Sequence, residues 1–344
     1  MRILVTGGSG FLGSHVCEHF ANKGDEVVAF DNLTKHELMR TGYNVNGTRL
    51  YNWKILKDLK VSLVKGDIRD KQELFAAAKE CDYIVHTAAQ PAMTIAIENP
   101  ELDLTTNVVG ALNVLEAARK HDIPIVSCST IHVYGNKIND TIKEGETRFI
   151  REPPTIDESY PIMQGEITPL HASKRSTEVY VQAYVDTYGL KAATFRLTGM
   201  YGPRQFGGED HGWVANFAIR TIIGLPIKVF GTHKQVRDIL YVSDAVEAFE
   251  AFSKNRKPGL YNIGGGERNI ISLGECLKII KEIANTEQRI SYEPQRPGDL
   301  WYFVCNITKA RRELGWEPKV SNIEGLKKLI EWIKKNSEMF GERP

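Results

Sequence analysis

Met1-Arg-Ile-Leu-Val-Thr-Gly7-Gly-Ser-Gly10-Phe-Leu-Gly13-Ser-His-Val16 opens the chain and decides its fold. Ile3-Leu4-Val5 is a short apolar run of the kind that forms a buried parallel strand, and Phe11, Leu12, Val16 and Phe20 then fall at helical spacing. Between them lie Gly7, Gly8, Gly10 and Gly13. Glycine lets the backbone turn tightly and come close to a pyrophosphate, and the helix N-terminus presents unpaired N–H groups to its charge. Such a loop alone is also a common structural turn, but here the strand before it and the helix after it are both present. Val27-Val28-Ala29-Phe30 reads as a second strand ending in Asp31, 18 residues past Gly13, where a carboxylate accepts hydrogen bonds from ribose hydroxyls. The stretch predicts dinucleotide binding. Asp31 favours NAD over NADP because it repels a 2′-phosphate, a preference that Lys35 and His36 nearby weaken.

At 344 residues the chain exceeds a typical single domain, and 42% hydrophobic with 25% charged residues is ordinary for a globular enzyme. The net charge of +1 gives no support to nucleic-acid or membrane-surface binding. No apolar run reaches membrane-span length, and a strand beginning at residue 2 leaves no room for a signal peptide, so a cytoplasmic location is expected. The five cysteines (17, 81, 128, 276 and 305) are scattered without a C-x-x-C pair, which argues against disulfides and a metal site.

Strands and helices alternate through the first half. Val61–Val64, Tyr83–His86, Ile125–Thr130 and Thr194–Leu197 read as strands, with helical stretches near 71–80, 105–120 and 171–188. This pattern predicts an α/β fold: a Rossmann-type doubly wound parallel sheet with a smaller C-terminal substrate-binding lobe. Residues 1–200 are assigned to the NAD-binding part and 201–344 mainly to substrate, with the chain crossing between them. Residues 136–169 read as a long polar insertion, and the Gly/Pro-rich turns after residue 200 suit a smaller lobe.

Ligands of open parallel sheets sit at the strands' carboxyl ends, so Asp67, Ala88, Ala89, Gln90, Thr130 and Thr198 should line one crevice. Ser173, Lys174 and Glu178 follow at helical spacing in Leu170-His-Ala-Ser-Lys174-Arg-Ser-Thr-Glu178.

Taken together, T-G-G-S-G-F-L-G-S, G-D-I-R-D, A-A-Q-P, S-T-x-x-V-Y-G, A-S-K and Y-G-P-R resemble the extended short-chain dehydrogenase/reductase family, in order and spacing over nearly the whole chain. Its members act on nucleotide sugars with a tightly held NAD. Ala92–Pro100, Glu144–Phe149, Phe195–Phe206, His211–Val214 and Lys234–Asp238 narrow the resemblance to the CDP-paratose (CDP-tyvelose) 2-epimerases. The resemblance implies that Gly7, Gly10, Phe11, Leu12, Gly13, Asp31, Asn32, Asp67, Ile68, Ala88, Ala89, Gln90, Asn107 and Lys174 contact NAD. Thr130 would bond the hydroxyl being oxidised. Met93, Thr94, Arg204, Gln205, Arg237, Arg296 and Asp299 would hold a CDP-, GDP- or UDP-hexose, with the two arginines Arg237 and Arg296 on its diphosphate. A homodimer is implied as well.

One departure stands out. The family's Y-x-x-x-K places a catalytic tyrosine four residues before the lysine, and four before Lys174 is Leu170. A leucine cannot move a proton. His171, the next residue, and His132, two beyond Thr130, are the candidate replacements, because an imidazole titrating near neutrality is a competent general base. The expected activity is epimerisation at a ring carbon of C2 type; a catalytically silent binder and a 4-epimerase or dehydratase are the alternatives.

Overall fold

A computed structural model of the chain describes residues 1–45, 48 and 50–341. Five strands follow the expected register: β1 (Arg2–Thr6), β2 (Glu26–Asp31), β3 (Ser62–Lys65), β4 (Tyr83–His86) and β5 (Ile125–Thr130). The apolar residues of β1, β2 and β4 are buried on both faces, as a parallel sheet covered by helices requires, whereas Leu63 and Val64 of the edge strand β3 are half-buried. The full sheet has seven strands, ordered β3-β2-β1-β4-β5, then Ala192–Leu197, then Gly259–Ile263. All six pairings are parallel. The order reverses at β1, which lies between β2 and β4, so a crevice opens outside the carboxyl ends of β1 and β4.

Helix α1 (Phe11–Asn22) places Val16 and Phe20 on one face of the sheet, where Phe249 and Phe252 of helix Val242–Asn255 join them. Leu74, Val114, Leu115 and Val181, from helices Lys71–Ala78, Ala111–His121 and Pro169–Tyr188, cover the other face. Each such buried side chain contributes about 1.5–3 kcal/mol relative to an exposed one. A separate apolar core, with Phe217, Ile280, Leu329 and Ile333, joins helices Trp213–Ile222, Leu273–Ala284 and Asn322–Lys335.

Two details depart from the sequence expectation. The sheet takes in a strand beyond those read from the sequence: Gly259–Ile263 returns to pair with Ala192–Leu197, where Tyr261 and Ile263 are fully buried. Residues 136–169 carry a 3₁₀ segment, Asn136–Thr141, and an antiparallel hairpin of Ile142–Glu144 with Phe149–Arg151. This hairpin region packs through Phe149 and Ile156 on Tyr302, Phe303 and Val304.

Candidate active site

The crevice is a cleft of about 630 Å³. Gly7, with φ of +72°, turns the chain out of β1, and a Cβ on it would stand 2.6 Å from the Ala88 nitrogen. A Cβ on Gly13 would lie 2.1 Å from the Gly7 carbonyl oxygen, so that glycine lets the helix pack on the turn. Gly10 precedes α1 with no side chain capping its first N–H groups, and a Cβ there would meet only the Gly7 oxygen, at 3.1 Å. The loop therefore presents bare backbone to the cleft, as a pyrophosphate needs.

Asp31 ends β2 and is nearly buried. Its carboxylate accepts from Ser9 N–H at 2.9 Å and Leu33 N–H at 2.7 Å. Burial pushes its pKa upward against these bonds. Lys35 donates to the Ser9 carbonyl at 2.8 Å. Asp67, after β3, accepts from Asn32 Nδ2 at 2.9 Å and from Arg69, whose guanidinium holds the carboxyl well below the usual range. The carboxylates thus mark one end of the cleft, as their places on β2 and β3 require.

The middle of the cleft is built where β5 meets helix Pro169–Tyr188. Pro169 occupies the helix's first turn and Thr168 precedes it in a capping box with His171, while Gly189 ends it in the left-handed conformation. Lys174 faces β5 and donates to the Cys128 carbonyl at 3.3 Å. Burial lowers its pKa, opposed by the charges of Asp103 and Glu178. Glu178 anchors the helix. It accepts from Ser129 Oγ at 2.7 Å and from buried Arg196 at 2.7 and 2.8 Å, whose guanidinium lies 4.7 Å from the Tyr134 ring centroid. Helical spacing puts Glu178 on the right face and beside Arg175, which donates to it at 3.0 Å, but gives no sign of Ser129 and Arg196, which come from two strands.

Asn107 and His171 do not line the cleft. Asn107 sits on a widened π-helical turn, Thr105–Gly110, and clamps Gln90 from behind, accepting its N–H at 2.8 Å and donating to its carbonyl at 3.0 Å. Through this brace it positions Gln90, which lines the cleft. His171 is fully buried: its Nδ1 accepts from Thr168 N–H at 3.1 Å and meets Thr168 Oγ1 at 2.7 Å, while Nε2 is buried without a partner. Burial lowers its pKa. The ring completes a helix cap, which a residue offset around the helix from Leu170 can do and a cleft-facing one cannot.

Every other candidate cofactor, substrate or catalytic residue lines the cleft, from Gly7, Gly10, Phe11, Leu12 and Gly13 through Thr130, His132, Leu170 and Lys174 to Met93 and Thr94. At its far end Arg237 pairs with Asp299 at 3.5 Å, and Arg296 stacks 3.7 Å from the centroid of Phe230 while donating to the Glu209 carbonyl at 2.7 Å. Arg204 borders the cleft, but its guanidinium is held by Glu18 and, at 2.7 Å, by His15 of α1. Gln205 donates to the Met200 carbonyl at 3.1 Å. Trp213, Asn216, Lys228, Phe230 and Gln235 also line this end and are not among the residues singled out from sequence. Trp213 and Gln235 lie inside quoted motifs, whereas Asn216, Lys228 and Phe230 carry no local signal. Among the described residues no cluster of metal-ligating side chains exists, and no helix is long and apolar enough to cross a membrane.

Comparison with known proteins agrees with this geometry. Residues 3–264 match the family model described as the NAD dependent epimerase/dehydratase family. The chain is 34% identical to the CDP-paratose 2-epimerase of Salmonella typhi, over 96% of this chain and 99% of that one. It is 32% identical to a putative UDP-glucose 4-epimerase of Methanocaldococcus jannaschii, over 97% and 99% of the two chains. Among solved structures, the Thermus thermophilus UDP-glucose 4-epimerase in complex with NAD superposes with a TM-score of 0.79 at 34% identity, over 97% and 99% of the two chains. The bare glycine loop and the carboxylate ending β2 fit NAD, the cofactor of this family. The chain belongs to the NAD-dependent epimerase/dehydratase family, within the extended short-chain dehydrogenases/reductases.

Proposed function

We propose that the protein epimerises a nucleotide-linked hexose at C2, oxidising the ring carbon and reducing it again from the other face. One observation carries this reading: a single cleft runs from the glycine loop past Thr130 and Lys174 to Arg237 and Arg296. Such continuity lets one molecule reach the arginines with its diphosphate and present a sugar carbon beside Lys174. Bound NAD supplies the acceptor, and on the return the donor, of the hydride. Lys174 orients the nicotinamide ribose and places a positive charge beside the reacting hydroxyl. Thr130 holds that hydroxyl. Arg237 and Arg296 grip the diphosphate once it displaces Asp299 from the first and the Glu209 carbonyl and Asp210 from the second. The C2 assignment rests on the motifs that resemble the CDP-paratose 2-epimerases and on the 34% identity to the Salmonella typhi relative.

Residues beyond 200, apart from helix Val242–Asn255, the returning strand and the segments packed on them, form the substrate part in this reading. The protein acts as a homodimer, since Leu104, Val109, Val179 and Tyr180 leave apolar side chains 43–53% exposed on neighbouring helices.

The test is to incubate NAD-loaded protein with CDP-, GDP- and UDP-hexoses, following products by NMR and absorbance at the NADH band. A C2 epimer is expected. A C4 epimer or a dehydrated keto sugar would overturn the C2 assignment. No product and no transient NADH with any of them would leave a silent binder, the reading that Leu170 favours.

A further inference from the structure

No tyrosine lines the cleft among the described residues, and Leu170 takes the first-turn position one helical turn before Lys174. Where β5 meets this helix, the titratable side chains in the cleft are Cys128, His132 and Lys174. Burial pushes the Cys128 thiol up to about 12, so it holds its proton at neutral pH. The Lys174 ammonium has its three hydrogens to donate and no lone pair, and it is directed at the Cys128 carbonyl. Only His132 remains. It sits on the 3₁₀ turn Ile131–Tyr134, its backbone N–H donates to Thr130 Oγ1 at 3.2 Å, and its Nδ1 is buried without a partner.

We infer that His132 is the group that takes and returns the proton of the sugar hydroxyl, in place of a phenol at position 170. This rests on the epimerase reading above. The proton passes from the hydroxyl oxygen to an imidazole nitrogen as the carbonyl forms, and returns to the same oxygen as the carbonyl is reduced. The hydride leaves and returns through the cofactor, so neither protons nor electrons accumulate.

Three features support the assignment. The bond from the His132 backbone N–H to Thr130 Oγ1 ties the turn that carries the proposed base to the proposed hydroxyl-holding residue. The ring is held edge-on by His171, 5.9 Å between centroids, so it is not free to turn away. Burial, the Arg237 charge and His171 hold its pKa at about 3, so the resting imidazole is neutral with a lone pair available. A diphosphate on Arg237 would offset the guanidinium's field, which ranks after burial among these causes, and would thereby raise the imidazole's pKa on substrate binding.

The experiment compares wild type, His132→Gln, His211→Gln and the double variant His132→Gln/Leu170→Tyr, alongside ¹⁵N-imidazole NMR of the NAD-loaded protein titrated with UDP and CDP. His132→Gln should lose at least ~100-fold in kcat, with NAD content and nucleotide affinity within about twofold of wild type. The double variant should regain at least about tenfold over His132→Gln by restoring a phenol beside Lys174. Nucleoside diphosphate should raise the pH at which the His132 ¹⁵N signals titrate. Wild-type turnover in His132→Gln, a loss confined to His211→Gln, or an unmoved His132 titration midpoint would overturn the assignment while leaving the epimerase reading intact. A wild type that turns over none of the nucleotide hexoses would overturn both.

Discussion

The rings of His132 and His171 meet edge to face, 5.9 Å between centroids at an interplanar angle of 89°. Two residues that look alike in sequence thus have different work: one ring lines the cleft, and the other is buried behind it as part of a helix cap. The cap ring also supports the binding loop, since a Cβ on Gly298 of the Arg296-Pro-Gly-Asp299 turn would lie 3.3 Å from His171 Cε1.

His171→Gln should be tolerated, because glutamine at this helix position can accept from the Thr168 N–H as a capping box requires. His171→Leu leaves that buried N–H unpaired and should cost about 1–3 kcal/mol. Urea unfolding of the two variants measures the difference; equal midpoints would contradict the cap.

Gly10 and Gly13 should separate cofactor binding from folding. Gly13→Ala puts a Cβ 2.1 Å from the Gly7 oxygen, so it should lower Tm and NAD retention together. Gly10→Ala meets only that oxygen at 3.1 Å and should leave Tm nearly unchanged while intruding on the cofactor's approach. A loss of about tenfold in NAD affinity, close to 1.4 kcal/mol, is expected by calorimetry.

Asp31→Ala removes the carboxylate that accepts from Ser9 and Leu33 N–H groups. NAD affinity should fall about tenfold or more, and the preference for NAD over NADP should narrow as the like-charge repulsion disappears. Binding of both cofactors, measured side by side, checks this; an unchanged ratio would mean that Asp31 does not discriminate.

His15 gives a pH signature remote from the proton transfer. Burial and Arg204 hold its pKa at about 3; its Nδ1 is 2.7 Å from Arg204 Nη2 and its Nε2 is 2.9 Å from the Pro203 carbonyl. The unfolded chain protonates this ring near pH 6.5 and the folded one only near 3, so between these values the unfolded state binds more protons. Stability from His15 is fully present above about pH 6.5 and is lost as pH falls, by up to about 1.4 kcal/mol per unit. His15→Gln does not titrate, so the stability difference between wild type and variant should shift in the variant's favour from pH 7 to pH 4. A difference independent of pH would refute the buried neutral ring.

Much of the site is legible from adjacent residues. The glycine loop, Asp31, the β4 end at Ala88–Gln90 and the β5 end at Thr130 can be read because strand period and turn residues are written locally. Lys174 is identified by the motif that contains it. Asn107 escapes such reading because its side chain's direction depends on a π-helical turn that no spacing rule announces. Arg204 escapes it because α1, far away in sequence, supplies Glu18 and His15 as its partners.

Sequence alone determined that a strand, a glycine turn and a helix would form at the N-terminus, that a parallel sheet would follow, and that no phenol stands four residues before Lys174. These follow from steric and hydrogen-bonding preferences of neighbouring residues. Tertiary structure decided which histidine faces the cleft, where each arginine points, and that Gly259–Ile263 completes the sheet. Those outcomes depend on burial against residues distant along the chain, and burial is a property of the packed molecule rather than of any segment.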